Sequence, residues 1–454
     1  MIEKRILPNG ITLMSEYLPY VQSAAVGVWA LAGAVDESTW DGADGRLVAV
    51  GAEADGAGVG SEAESPAADS VGADGYGSAP AGISHLIEHM LFKGTGSRSA
   101  KDIAEEVDRT GGLINAFTGK EATCYYIKTL AEHLGESVDL LGDMFLNSVF
   151  DETELGKEKN VIYEEMNMIE DSPEDLGHDL LDEAVFSGMP LGNRIIGYKE
   201  TVGSAGPAEI RAYTAARYAA GNVVLSVAGN FEIDEVAARV TSAFGGVQNG
   251  RSARIAKGAE HTPAFLSRAK DIEQSHIFLG RRGVSLTSDD YYAFILFNSI
   301  LGGSMSSRLF QKIREEKGLA YSVYSMSSSF VDDGIFMIYA GVGEGNERVT
   351  IEAIREETER IASEGADESE LAKVKEQSKG AYVFGRENVQ TRMFSTGKNE
   401  LLLGKVYTSE EIIAGIDAVT PKDIARLATR CADLAEYSAV IVGKNELTKQ
   451  DVGL

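Results

Sequence analysis

His85-Leu86-Ile87-Glu88-His89 holds two of the six histidines in a chain of 454 residues, with a carboxylate between them. On a helix, residues i, i+3 and i+4 share one face, about one turn apart. The spacing therefore predicts a helix that aims both imidazoles at one point and sets Glu88 beside them. His85 and His89 can then chelate a single metal ion, with Glu88 facing whatever fills the open coordination position. Such a grouping suits a zinc site in which water stands between the metal and a general base. The competing reading is an amphipathic helix with two ordinary polar histidines.

A site with two histidines needs a third protein ligand on a rigid element. Asp151 to Ile169 reads as a strong helix, with Asp151 as its cap and Glu154 completing a capping box. Along it Glu158, Ile162, Glu165 and Ile169 recur at i, i+4, i+7 and i+11, one stripe of the helix. Carboxylates on an otherwise apolar stripe are costly unless paired or metal-bound. Glu165 is the expected third ligand, and Glu158 the acid that orients a histidine from one layer out. Glu164 stands next to it, and the residues alone do not separate the two.

The segment "GISHLIEHMLFKGT" resembles the catalytic segment of the pitrilysin and mitochondrial-processing-peptidase family of zinc peptidases, whose H-x-x-E-H pattern is termed inverzincin. Three further stretches are similar to that family in the same order: "GGLINAFTGKEATCYYIKTL", "EKNVIYEEMNMIED" and "LGGSMSSRLFQKIREEKGLAYSVYS". The resemblance covers nearly the whole chain apart from one insertion. It implies that the distal glutamate of the site is Glu165, with Glu158 as the supporting acid. It also implies that Arg314 and Tyr321, seven residues apart, hold the substrate where oxyanion charge develops. Asn115 and Ala116 match the positions whose polar groups meet substrate near the metal.

The expected activity is zinc-dependent endopeptidase cleavage of unfolded peptides, with one zinc ion per subunit and Glu88 as the group that moves the proton. Leu113 to Leu130 is β-prone, with Phe117, Thr123, Tyr125, Tyr126 and Ile127. An exposed edge strand there, carrying Asn115, Ala116 and Phe117, would pair with an extended peptide through its backbone.

A net charge of −28 makes nucleic acid an unfitting partner. It could attract basic peptides, although acidic surfaces also serve general solubility. No apolar run approaches the roughly 18 residues that span a membrane. The first residues enter a strand-turn pattern without a signal or transit segment, and Cys124 and Cys431 suggest no metal site. A cytoplasmic enzyme with reduced thiols is the expectation.

The fold class expected is α+β: two homologous domains, each a mainly antiparallel sheet packed with helices. Residues 1–245 form the metal-bearing half, 246–268 a linker, and 269–454 the half with the Arg/Tyr motif. The closing strands match: Asn222 to Asn230 in the first half, Tyr437 to Lys444 in the second. Between them a helix is expected at Ile233 to Phe244, and the second half opens on a strand at His276 to Leu279 and a helix near Tyr291 to Ile300. Residues 38–80, rich in Gly, Ala and acid, depart from the family pattern and read as a tolerated surface insertion. Leu47-Val48-Ala49-Val50 could add a short strand there.

Full-length family members face two such pairs of domains across a clamshell. The resemblance therefore implies a homodimer in which Arg314 and Tyr321 of one subunit complete the site of the other. The alternative is a non-catalytic or heterodimer-dependent peptide-binding subunit.

Overall fold

The computed structural model describes residues 2–41, 46–48, 79–252, 254 and 260–454. Among them the strands run in chain order as β1 (Ile2–Ile6), β2 (Thr12–Tyr17), β3 (Ser23–Ala30), β4 (Thr39–Asp41), β5 (Arg46–Val48), β6 (Leu113–Thr118), β7 (Thr123–Leu130), β8 (Val223–Gly229), β9 (Phe265–Ala269), β10 (Gln274–Arg282), β11 (Ala320–Ser329), β12 (Gly334–Gly343) and β13 (Ser438–Gly443).

Two sheets account for most of them. The first has the order β1-β2-β8-β3-β7-β6 and the second β11-β12-β10-β13-β9. Every pairing is antiparallel except β2 with β8 and β13 with β9, which are parallel. Reading inward from β6 and from β11, the two sheets have the same order and sense; the first adds β1. The matched closing strands are β8 and β13, and both are buried along their whole length. Their near-continuous apolar runs are what a strand covered on both faces requires.

The second sheet begins earlier than the sequence suggests. β9 starts at Phe265, inside the stretch read as linker, and runs parallel to β13. Of the stretch Leu47 to Val50, Leu47 and Val48 belong to β5, which pairs with β4, while Ala49 and Val50 lie outside the described residues. So does most of the 38–80 insertion.

Each half has its own principal core on one face of its sheet. The other face of each sheet is covered by a helix from the opposite half, which periodicity did not foretell. Helix Pro173–Val185 lies on β10 and β13, and helix Val389–Leu403 lies on β3 and β8. Leu176, Leu180, Leu181 and Val185 pack with Phe278, Met337, Val440 and Val442 in one of these contacts. Met393 and Val389 meet Ala25, Ala228 and Leu18 in the other.

The approach is close enough to demand glycine at both crossings. A Cβ at Gly177 would overlap the Phe278 ring, and one at Gly397 would overlap the Trp29 indole and the Ser226 hydroxyl. Gly177→Ala and Gly397→Ala are each expected to destabilise the protein by about 1–3 kcal/mol, the usual cost of overfilling a packed contact. Urea unfolding of each variant measures it, and a loss near zero would mean that the crossings are loosely packed.

Candidate metal centre

Helix Ile83–Leu91 owes its orientation to its apolar face. Ile83, Leu86, Ile87, Met90 and Leu91 are all buried in the first core. That leaves His85, Glu88 and His89 on the opposite side, partly exposed. The i, i+3, i+4 geometry expected from the sequence is present.

Helix Glu152–Asp171 supplies the facing carboxylates. Asp151 caps it by accepting the N–H groups of Thr153 and Glu154. The reciprocal half of the expected capping box is absent: the Glu154 carboxylate turns to Lys157 Nζ, 2.6 Å away. A lysine one turn along offers an ion pair, which outcompetes a return to the backbone. Ile162 and Glu158 are buried on the inner stripe, Glu164 is exposed and Glu165 lies at the boundary.

Ligand atoms of His85, His89 and Glu165 lie within 4.8 Å of one another. Glu165 Oε2 is 3.6 Å from His89 Nε2 and 3.9 Å from His85 Nε2. Those separations are too long for hydrogen bonds. They lie near the edge of a tetrahedron built on bonds of about 2.0–2.1 Å, which is about 3.3–3.4 Å long. His89 Nδ1 donates to Glu158 Oε2 at 3.1 Å, which turns the free Nε2 toward the cluster. Glu158 is itself anchored by Lys93 Nζ at 2.6 Å from its other oxygen.

The donor set fits a divalent ion of zinc type in its chemistry as well as in its spacing. Burial, with a smaller contribution from His89, lowers the His85 pKa to about 4, so the ring stays neutral, as a ligand must be. Its Nδ1 is buried without a hydrogen-bond partner.

Glu88 stands beside the cluster without joining it. Burial raises its carboxyl above the ordinary range, opposed by the Thr118 hydroxyl and by His89 and assisted by Glu165. Thr118 donates to Glu88 Oε2 at 2.5 Å. Thr118 ends β6, the edge strand of the first sheet, which packs beside helix 83–91. One side of β6 pairs with β7, and among the described residues no strand pairs with the other. Leu113, Asn115 and Phe117 are exposed, whereas Ile114 and Ala116 pack against the core. The Asn115 side-chain oxygen accepts the Ala116 N–H at 2.8 Å. Phe117 stacks edge-on with Trp29 and with Phe394 of the opposite half.

Arg314 and Tyr321 are brought to each other but not to the metal cluster. Arg314 lies in a short π-helix, Phe310–Glu316, and its guanidinium sits 5.0 Å from the Tyr321 ring centre. Tyr321 falls where the β11 register shifts: Ala320 faces Val342 and Ser322 faces Gly341, leaving Tyr321 unpaired. Such a bulge re-aims a side chain, and Tyr321 is 76 % exposed. Among the described residues, no hydrogen bond, ion pair or ring contact joins this pair to His85, Glu88, His89 or Glu165.

Sequence reasoning missed Thr118, Lys93 and Glu37. Thr118 had a weak signal as part of the β-prone run. Glu37 had none: its buried carboxylate accepts the N–H groups of Gly82 and Ser84, across the whole insertion.

Helix Tyr291–Leu301 holds the corresponding place in the second half, following β10 and packing on β11. Its sequence, YYAFILFNSIL, contains no histidine and no carboxylate. Among the described residues, the clustered donor set lies beside the first sheet, and helix Tyr291–Leu301 adds none beside the second.

Comparison with known proteins gives the family of this two-sheet chain with its H-x-x-E-H helix. Residues 75–199 match the family described as Insulinase (Peptidase family M16), and residues 204–378 match Peptidase M16 inactive domain. The chain belongs to peptidase family M16. It is 41% identical over 429 residues to the uncharacterized zinc protease YmxG of Bacillus subtilis, covering 94% of this chain and 95% of that protein. An uncharacterized zinc protease of Streptomyces coelicolor is 34% identical over 435 residues, covering 94% and 86% respectively. Among solved structures, a peptidase M16 inactive domain from Pseudomonas fluorescens superposes with a TM-score of 0.83 at 18% identity, covering 98% of each chain. A protease from Helicobacter pylori gives 0.82 at 19% identity, covering 98% of this chain and 99% of that one. These two share the fold. No helix among the described residues is long and apolar enough to cross a membrane.

Proposed function

We propose that this chain is a zinc-dependent endopeptidase acting on unfolded peptides, with His85, His89 and Glu165 holding one zinc ion per subunit. The observation that carries the reading is the convergence of three ligand atoms within 4.8 Å, with Glu88 beside them and outside the donor set. When bound, the metal supplies Lewis-acid polarisation of a carbonyl and a water of lowered pKa.

The protein's own groups do the rest. Thr118 holds Glu88 Oε2, leaving Oε1 to take a proton from the attacking water and return it to the leaving amine. The open edge of β6, with Asn115, Ala116 and Phe117, pairs with the extended substrate backbone, which requires an unfolded chain. Arg314 and Tyr321 steady the substrate carbonyl as charge develops. Because they are not linked to the metal cluster within the chain, they serve the site of a second copy, in a homodimer with shared active sites. The net charge of −28 favours basic peptides. Cytoplasmic residence belongs to the same reading.

The test is mass-spectrometric cleavage of a mixed library of unstructured peptides. Cleavage is expected from the metal-loaded protein, lost after exhaustive chelation and regained when Zn²⁺ is returned. A folded, zinc-loaded protein that cleaves nothing would instead support the non-catalytic or heterodimer-dependent reading.

A further inference from the structure

Helix 83–91 carries two of the three proposed metal ligands, yet it lacks a side-chain cap of its own. Its N-cap is Gly82, at φ 90°, with no side chain to accept the first N–H groups. Those donors must find partners, because a buried unpaired N–H is costly. They find Glu37. Glu37 Oε2 accepts the Gly82 N–H at 2.6 Å, and Oε1 accepts the Ser84 N–H at 2.9 Å. Ser84 immediately precedes His85.

We propose that Glu37 is a positioning residue for the metal centre: its carboxylate fixes the start of helix 83–91 and thereby the place of His85 and Glu88. The inference rests on the proposed zinc site and extends it to a residue that touches neither metal nor substrate.

Three features single out Glu37. It is 1% exposed, so water cannot stand in for it. Asp36 beside it is compensated by Arg217 at 3.0 Å and Arg254 at 2.5 Å, whereas no ion pair reaches Glu37 among the described residues. Burial pushes its pKa up to about 7, and what opposes that rise is the hydrogen bonding from Gly82 and Ser84 at the start of the helix it caps. Finally, the backbone around it is pinned. Ser38 N–H meets the Ala79 carbonyl at 2.9 Å, and the Asn193 amide donates to the carbonyls of Ala34 and Ser38. The Ser84 hydroxyl is held by Tyr213 OH at 2.8 Å. The carboxylate is therefore offered to the helix from a fixed mount, across the ends of the inserted segment.

Glu37→Gln tests this directly. The amide has the same size, but one of its two positions becomes an NH₂ that confronts a backbone N–H. Co²⁺ serves as the probe, because its absorption reports ligand geometry and its titration gives an affinity. Glu37→Gln is expected to weaken Co²⁺ binding by about tenfold, the lower end for groups that orient metal ligands. An altered Co²⁺ absorption band, a lower kcat with KM nearly unchanged, and faster amide exchange at residues 82–86 should accompany it. Glu37→Asp keeps the charge but is one methylene shorter, and should fall between wild type and Glu37→Gln. It also serves as the test variant if Glu37→Gln does not fold.

A folded variant with wild-type Co²⁺ affinity and spectrum, changed only in melting temperature, would overturn the inference and leave Glu37 a structural residue. Failure of the wild-type protein itself to bind Co²⁺ would bring down the metal site and, with it, the role of Glu37.

Discussion

On the proposed zinc-peptidase reading, Glu88→Gln protein is expected to fold, bind metal and hydrolyse peptides about 10²–10⁴ times more slowly than wild type, the range that general acid–base groups contribute. Three observations lead to this expectation. Glu88 lies outside the set of ligand atoms formed by His85, His89 and Glu165, so replacing it leaves the donors intact. The amide oxygen of glutamine can still accept the Thr118 hydroxyl, so the local structure should persist. What disappears is the capacity to hold a proton. Burial places the Glu88 carboxyl above the ordinary range, nearer the pH at which a proton must be both taken and returned. The loss should therefore appear in kcat, with KM little changed. Metal analysis and single-substrate kinetics on the same preparation measure both. Activity above a tenth of wild type, with metal bound, would mean that another group is the base.

The second large effect is a recovery. Glu88→Gln and Arg314→Ala proteins are each expected to be inactive alone. After subunit exchange, a 1:1 mixture should regain about a quarter of wild-type activity if sites are shared across a twofold interface. The arithmetic follows from the symmetry: half of the dimers are mixed, and each mixed dimer has one intact composite site. The experiment is informative because Arg314 lies over the Tyr321 ring, and among the described residues no hydrogen bond, ion pair or ring contact joins either to His85, His89 or Glu165. Mixtures that stay as inactive as their parents would show that Arg314 acts within its own subunit or not at all.

How much of this was legible beforehand depends on the range of the interaction. His85, Glu88 and His89 lie within one helical turn and a half, so their convergence follows from helix geometry alone. The pairing of Glu165 with that helix needed the stripe Glu158, Ile162, Glu165 on a second helix, and the resemblance to choose Glu165 over Glu164. The structure exposes Glu164 and brings the half-exposed Glu165 to the two histidines. Glu37 was out of reach because nothing local marks a carboxylate that caps a helix 45 positions away. The bulge at Tyr321 was equally hidden, since it is a property of the register between two strands. Helix 173–185 was not read at all, and no local pattern could say that it would cover β10 and β13, because that contact joins the two halves.

That last point bears on how such a chain can change over time. Two similar units have traded a helix, so each now forms the lining of the other. A substitution in helix 173–185 must be accommodated by β10 and β13, and one in helix 389–403 by β3 and β8 beneath the metal-bearing half. The half without donors has thus become indispensable scaffolding. It need carry no ligand, as Tyr291–Leu301 carries none, because the other half would be left uncovered without it. Duplication here has ended in mutual custody rather than redundancy.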